Sequence, residues 1–142
     1  MERYEEAAAE YTEAVRLNVI FPDVHTNLGL LLQRQGKLTE ALKEYQEVIR
    51  LDPKNAVPYN NIGTVLFQQG KWSEAAEWFS KATHLDPKYA QAYSNLGGAY
   101  QMQGKLQEAV SYYSKALQLQ PNDQTAHRDL EHALTSLEQG SK

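Results

Sequence analysis

The chain has 142 residues, with 14 lysines and arginines against 18 aspartates and glutamates, and a formal net charge of -4. Nucleic acids and anionic membranes are bound largely through clustered positive charge, so the absence of a basic run argues against either as the main partner. The chain has no cysteine, which excludes thiol catalysis, disulfides and thiolate zinc sites.

The sequence also argues against membrane insertion. No apolar run reaches the roughly 18 residues that a membrane span requires. No basic segment followed by apolar and small residues opens the chain as a secretory leader would. We therefore expect a soluble protein, cytoplasmic by default.

The first predicted element is a lone helix whose apolar residues recur at helical spacing: Tyr4, Ala7, Tyr11, Ala14 and Leu17. No first helix precedes it, so we interpret residues 2–21 as the second half of a repeat unit. Two interpretations follow. Either the chain is a fragment of a longer protein, or this helix leaves an apolar flank, including Phe21, for another chain.

Three copies of a 34-residue unit follow, at residues 22–55, 56–89 and 90–123. The positions identical in all three copies are Asn27/Asn61/Asn95, Gly29/Gly63/Gly97, Gln35/Gln69/Gln103, Gly36/Gly70/Gly104, Lys37/Lys71/Lys105, Glu40/Glu74/Glu108, Ala41/Ala75/Ala109, Leu51/Leu85/Leu119 and Pro53/Pro87/Pro121. Repetition at this period predicts a stacked array in which each unit buries its apolar face against its neighbours.

Each unit reads as a helical hairpin, because two apolar blocks of helical period flank a Gln-Gly-Lys turn. Gly70 and its equivalents suit the left-handed residue that ends a helix. Gly63 and its equivalents lie inside the first helix, where glycine costs about 1 kcal/mol relative to alanine. We attribute them to close approach of an aromatic residue on the second helix: Tyr45, Phe79 or Tyr113. Residues 124–138 are predicted to form a C-terminal capping helix.

These residues resemble the tetratricopeptide repeat family. The family's pattern of bulky, Leu-Gly, aromatic or Leu, Gly, Ala, aromatic, Ala and Pro positions is matched by Tyr59, Ile62-Gly63, Leu66, Gly70, Ala75, Phe79, Ala82 and Pro87, and again by Tyr93, Leu96-Gly97, Tyr100, Gly104, Ala109, Tyr113, Ala116 and Pro121. The resemblance implies an all-α fold of about eight helices. Antiparallel pairs would stack into a right-handed superhelix whose inner surface is lined by the first helix of each pair.

The first helices carry the candidate binding face, opposite their core stripe. Asn27, Asn61 and Asn95 recur there, although asparagine is a mediocre helix former. An amide can pair with both the N–H and the C=O of a peptide, so a row of amides could hold an extended backbone. The alternative is that each asparagine bonds the neighbouring first helix, or that the copies inherited it by duplication. Arrays of the O-linked N-acetylglucosamine transferase type, which this stretch resembles, use such a row on substrate peptides.

Further candidates surround this row and would supply specificity. The complete predicted peptide-binding set is Asn27, Asn61, Asn95, Leu30, Arg34, Thr64, Phe67, Gln68, Met102 and Asp129. Phe67 could equally pack within the array. The groove is expected to suit an extended, mostly neutral segment.

Other chemistries are poorly matched. A subclass of the family grips acidic chaperone tails with a Lys/Arg/Asn clamp, whose places fall on Thr26, Leu30, Asn61, Gln91 and Asn95, and only Asn61 fits. The histidines lie in different units or off a common metal-binding face, so we expect no metal site and no cofactor. The repeated glutamates favour the start of a helix through its dipole. No catalytic constellation is apparent.

The sequence therefore predicts a non-enzymatic adaptor that binds a protein or peptide partner in a concave groove. Two alternatives remain at this point. One is a self-associating scaffold that stacks through the flank at Tyr4, Tyr11 and Phe21. The other is the substrate-recruiting part of a larger enzyme.

Overall fold

A computed structural model describes residues 2–16 and 22–140. These residues form the helices α1 (Glu2–Arg16), α2 (Pro22–Arg34), α3 (Leu38–Leu51), α4 (Ala56–Gln68), α5 (Trp72–Leu85), α6 (Ala90–Met102), α7 (Leu106–Leu119) and α8 (Gln124–Gly140). Eight helices and no strand appear in the described part of the chain, which confirms the predicted all-α fold. None of the described helices is both long and apolar enough to cross a membrane.

The turn inside each hairpin is set by a glycine in the left-handed region. Gly36, Gly70 and Gly104 have φ angles of 78°, 77° and 77°, as the sequence predicts. In the middle unit the backbone N–H of Lys71, three residues after the end of α4, donates to the carbonyl of Leu66 at 2.9 Å. This bond satisfies a carbonyl that the helix end would otherwise leave unpaired.

The glycines inside the first helices allow the two helices of a hairpin to approach closely. This confirms the prediction that Gly63 and its equivalents make room for an aromatic residue of the second helix. A methyl group at Gly29 would lie 2.5 Å from Cε1 of Tyr45, and one at Gly63 would lie 2.5 Å from Cε1 of Phe79. Such separations are far inside van der Waals contact. Each aromatic ring therefore occupies the space that a side chain would need.

The first helices form a continuous row on one side of the array. α2 contacts α4, α4 contacts α6 and α6 contacts α8, whereas no comparable contacts join α3 to α5 or α5 to α7 in the described residues. Because neighbouring first helices touch and neighbouring second helices do not, the array curves toward the first helices. Their outward-facing residues consequently line a concave surface, which we call the groove.

Both ends of the array depart partly from expectation. Tyr11 packs against the core and Tyr4 is 41% exposed, so the predicted apolar flank is only partly open. Leu17 and Phe21 lie outside the described residues. His25 fills its core position and its Nδ1 lies 2.7 Å from Oε2 of Glu44. His127 occupies the equivalent position of α8 but is exposed.

Candidate functional site

Two cavities follow the groove. The first, which we call the polar cavity, has a volume of about 410 Å³ and is lined mainly from α2 and α4. The second, the larger cavity, has a volume of about 690 Å³ and reaches from α4 to α8. Thr64, Gln68 and Gln91 line both cavities, so the two form one continuous groove across the first helices.

Nine of the ten predicted site residues line these cavities. The polar cavity contains Leu30, Arg34, Asn61, Thr64 and Gln68, and the larger cavity contains Thr64, Phe67, Gln68, Asn95, Met102 and Asp129. Asn27 lies outside both. The sequence predicts Phe67 either as a groove residue or as a residue packed within the array. It does both, because it packs partly against the core and also lines the larger cavity.

The three repeated asparagines do not form a row of equivalent open amides. Asn27 is exposed, whereas Asn61 is only 8% exposed. Nδ2 of Asn95 donates to Oδ1 of Asn60 at 2.9 Å, so this asparagine bonds the neighbouring first helix. The structure thus differs from the expected ladder, and Asn95 shows the alternative interaction.

Asn61 retains an unused hydrogen-bond donor beside the polar cavity. Its Nδ2 is buried and has no hydrogen-bond partner. Leaving such a donor unpaired costs about 1–3 kcal/mol. The terminal amide torsion has a broad energy profile, so this side chain can turn at little energetic cost. A carbonyl group placed in the groove would satisfy this donor.

Two tyrosine–glutamine pairs, which we did not predict, organise the groove floor. The hydroxyl of Tyr45 donates to Oε1 of Gln33 at 2.8 Å, and that of Tyr113 donates to Oε1 of Gln101 at 2.6 Å. The amide of Gln33 donates in turn to Oγ1 of Thr64 at 3.0 Å. The sequence contains a pattern from which these pairs could have been predicted, because a glutamine precedes each tyrosine by the same 12 residues.

The corresponding link at the end of the array joins α6 to α8. Nε2 of Gln101 lies 2.7 Å from Nδ1 of His132, which corresponds to the helix-to-helix contact that Gln33 makes with Thr64 two units earlier in the row. The polar pairs therefore do two things at once. They hold the tyrosine hydroxyl at the groove and they tie neighbouring first helices together.

Burial determines the ionisation of these tyrosines. It raises the pKa of the Tyr113 phenol to about 12. Burial also raises the pKa of Tyr45, and the positive charge of Arg34 offsets part of that rise. Both hydroxyls consequently stay protonated to a higher pH than an ordinary phenol, and they act as hydrogen-bond donors to the glutamines.

Asn60 was also absent from the predicted set. It accepts the Asn95 amide and hydrogen-bonds to Tyr89, which partly offsets the rise that burial causes in the pKa of that tyrosine. Asn60 is 4% exposed and lines the polar cavity. It has no asparagine counterpart in the other units, so repetition gave no signal for it.

Charge is sparse and separated along the groove. Among the described residues, Arg34 is the only charged one that lines the polar cavity, and its guanidinium carbon lies 5.7 Å from the ring centre of Tyr4. In the same part of the chain, Asp123 and Asp129 are the only charged residues that line the larger cavity. Within residues 2–16 and 22–140, no group of three histidine, cysteine or acidic residues could hold a metal ion.

Family models match the chain along nearly its whole length. The model described as TPR repeat matches residues 1–36, 34–70 and 63–104, and the model described as tetratricopeptide repeat matches residues 90–123. No curated protein matches the chain at a significant level.

Several solved structures share the fold. The first TPR of Spaghetti (RPAP3), solved with the HSP90 peptide SRMEEVD, is 31% identical with a TM-score of 0.78, and the match covers 82% of this chain and 92% of that one. The first TPR domain of human RPAP3 is 30% identical with a TM-score of 0.80, covering 83% and 93%. YrrB, described as a TPR protein with an unusual peptide-binding site, is 27% identical with a TM-score of 0.77, covering 89% and 66%.

Proposed function

Because the chain belongs to the tetratricopeptide repeat family, we propose that it is a non-enzymatic adaptor whose groove binds an extended segment of a partner protein. One observation carries the proposal. The two cavities share three lining residues, so they form an open path across successive first helices with an unpaired amide donor at Asn61 beside it. An extended peptide carries a carbonyl at every residue and would satisfy such a donor.

The solved neighbours support peptide binding as the mode of action. One was solved with an HSP90 peptide, and another, YrrB, is a TPR protein with an unusual peptide-binding site. The HSP90 peptide SRMEEVD contains three acidic residues, whereas Arg34 is the only cationic residue that lines the two cavities in the part of this chain that the structure describes. We therefore propose a mostly neutral segment as the ligand and not a strongly acidic tail.

A comparison of two alanine variants tests the proposal. Asn61→Ala removes a donor that has no partner in the free protein, so thermal stability should be unchanged or slightly higher. Binding to a synthetic array of unstructured peptides should weaken by about two- to twelve-fold, which corresponds to one net hydrogen bond.

The matched control is Asn27→Ala. It makes the same chemical change on the same face of the preceding unit, but outside both cavities. Its peptide-binding profile should equal that of the unmodified protein. If both variants bind the array as the unmodified protein does, or if the unmodified protein binds no peptide, capture of an extended backbone in this groove is wrong.

A further inference from the structure

The middle unit differs from its neighbours on the groove floor. In the first and third units a tyrosine hydroxyl is held by a glutamine, as in Tyr45–Gln33 and Tyr113–Gln101. The equivalent residues of the middle unit are Phe79 and Phe67, which have no polar atom. Both rings line the larger cavity. The floor is therefore polar at its two ends and apolar at its centre.

Gly98 leaves space at this apolar centre. The equivalent position carries Leu30, Thr64 or His132 in the other units. A methyl group at Gly98 would lie 3.8 Å from Cε2 of Phe67 and 3.6 Å from Oη of Tyr113, which are ordinary contact distances. The glycine is therefore not required by packing, in contrast to Gly97 beside it.

We define the apolar bay as Phe67, Phe79, Gly98 and Met102. Met102 is 48% exposed and closes one side of the bay with a flexible, polarisable side chain. Within residues 2–16 and 22–140, no glutamine bond joins α4 to α6 across this part of the groove, because Phe67 occupies the position that Gln33 and Gln101 occupy in the other units. The bay thus remains open to a side chain entering from the groove.

Opposite charges lie on either side of the bay. Arg34 is on α2, and Asp129 is on α8, with Asp123 just before that helix. Oδ1 of Asp123 accepts the backbone N–H of Ala126 at 3.1 Å, so this carboxylate is already engaged at the helix start. Nε of Arg128 lies 3.9 Å from Oδ1 of Asp129. Because Arg128 is itself exposed, the Asp129 carboxylate remains available to a ligand. Every other described residue lining the two cavities is uncharged.

The spacing of these features follows from helix packing. Packed helices lie about 10 Å apart, so α2 and α8 are separated by about 30 Å along the row. An extended peptide rises about 3.3 Å per residue and would span this distance in about nine residues. The apolar bay lies between α4 and α6, midway along the row. A side chain entering it would be about four or five residues from each charged end.

We infer that the groove selects an extended segment with a large apolar side chain at its centre, an acidic residue toward Arg34 and a basic residue toward Asp129. The inference rests on the proposed function and adds the chemistry of the ligand to it. Leucine, isoleucine or phenylalanine would fill the bay, and the terminal charges would fix the direction of the segment.

Labelled synthetic peptides of about ten residues test the inference by fluorescence anisotropy on the intact protein. The principal probe has a central leucine, one acidic end and one basic end, and is made in both charge orders. Three controls replace the leucine with serine, make both ends acidic, or make both ends basic. The better of the two opposite-charge peptides should bind roughly ten-fold more tightly than its serine counterpart. It should bind roughly five-fold more tightly than either like-charge peptide, and this second difference should shrink at high salt.

Variants of the protein test which groove residues cause the preference for particular peptides. Gly98→Leu should fill the bay and reduce the leucine preference to near unity, and it should not lower stability because glycine is a poor helix former. Gly98→Ala should have a smaller effect in the same direction. In Arg34→Gln, the peptide with two basic ends should bind as tightly as the opposite-charge peptide. In Asp129→Asn, the peptide with two acidic ends should do so.

The outcomes separate this inference from the proposed function. If peptides bind and respond to Asn61→Ala but show no preference for leucine or for opposite charges, the groove binds backbone without this selectivity and the inference fails alone. Retention of the leucine preference in Gly98→Leu would likewise overturn it. If no peptide binds, both the inference and the proposed function fail.

Discussion

Gly97 and Gly98 are neighbours on α6, but a side chain would meet different surroundings at each. A methyl group at Gly97 would lie 2.8 Å from Cδ1 of the buried Tyr113 ring, whereas one at Gly98 would meet no atom closer than 3.6 Å. Both alanine variants gain the same helix propensity, about 1 kcal/mol. Gly97→Ala should therefore be less stable than Gly98→Ala by about 1–3 kcal/mol, which is the cost of overpacking. Urea unfolding of the two variants measures this difference, and equal midpoints would contradict the packing described for Tyr113.

The buried tyrosine hydroxyls predict a loss of stability at alkaline pH. Burial raises the pKa of Tyr113 from its ordinary value of 10.0 to about 12, so the folded state favours the neutral phenol. The resulting stabilisation is complete below pH 10 and is lost as the pH rises toward about 12, because the unfolded chain ionises first. The free energy of unfolding should decline over that interval.

Tyr113→Phe isolates the contribution of this hydroxyl to the alkaline decline. The substitution is sterically reasonable, because Phe79 fills the equivalent place in the middle unit. It should lower stability at neutral pH by about 0.5–1.5 kcal/mol through loss of the bond to Gln101. It should also make the decline between pH 10 and about 12 shallower. A decline as steep as that of the unmodified protein would show that Tyr113 ionises equally easily in both states.

Individual polar contacts were the part of the site least accessible from sequence. The pattern placed Asn61 and Asn95 correctly at the groove, because helical periodicity fixes the direction of a residue. It could not distinguish their environments, since burial depends on the helices on either side and bonding depends on a non-repeated partner, Asn60. Repetition identifies what the units share, whereas these contacts arise from residues in which the units differ.

At the scale of the helices, each hairpin depends on a small residue where its two helices cross. Ala75 on α5 is 0% exposed and belongs to the main core cluster that also contains Phe79. Ala75→Leu should destabilise the protein by about 1–3 kcal/mol, because the added atoms have no space between α4 and α5. Glu77→Leu provides the control, since it introduces the same residue at an exposed position of α5. Chemical unfolding should show a lower midpoint for the first variant only, and an unchanged midpoint for Ala75→Leu would contradict the crossing geometry.

The helices and turns were predictable because their determinants are local. Apolar periodicity located the hairpins, and the positive φ angles at Gly36, Gly70 and Gly104 were implied by glycine at each turn. Sequence position alone does not determine the burial of His127, because the equivalent His25 is buried whereas His127 in α8 is exposed. Local patterns therefore define an element well and define its surroundings poorly at the ends of a repeat.

At the scale of the whole molecule, stability should vary along the array. Each helix contacts mainly its immediate neighbours, so the central hairpin of α4 and α5 is supported from both sides. Ile62 and Val65 of that hairpin are 2% and 0% exposed. Within the described residues, α1 contacts α2 alone, and α8 contacts only α6 and α7. In a stacked array the stability of a unit depends on its own folding and on its neighbouring interfaces.

Native-state hydrogen exchange should consequently show the slowest amide exchange in α4 and α5 and faster exchange toward α1 and α8, because the terminal helices open without unfolding the centre. Ala75→Leu should reduce protection most in α4 and α5 and thereby flatten this gradient, whereas Glu77→Leu should leave it unchanged. Mass spectrometry of peptide fragments resolves exchange at the level of single helices. Equal protection of α1 and α4 would instead show that the array unfolds as one cooperative body, in which case the interfaces between units are much stronger than the folding of each hairpin alone.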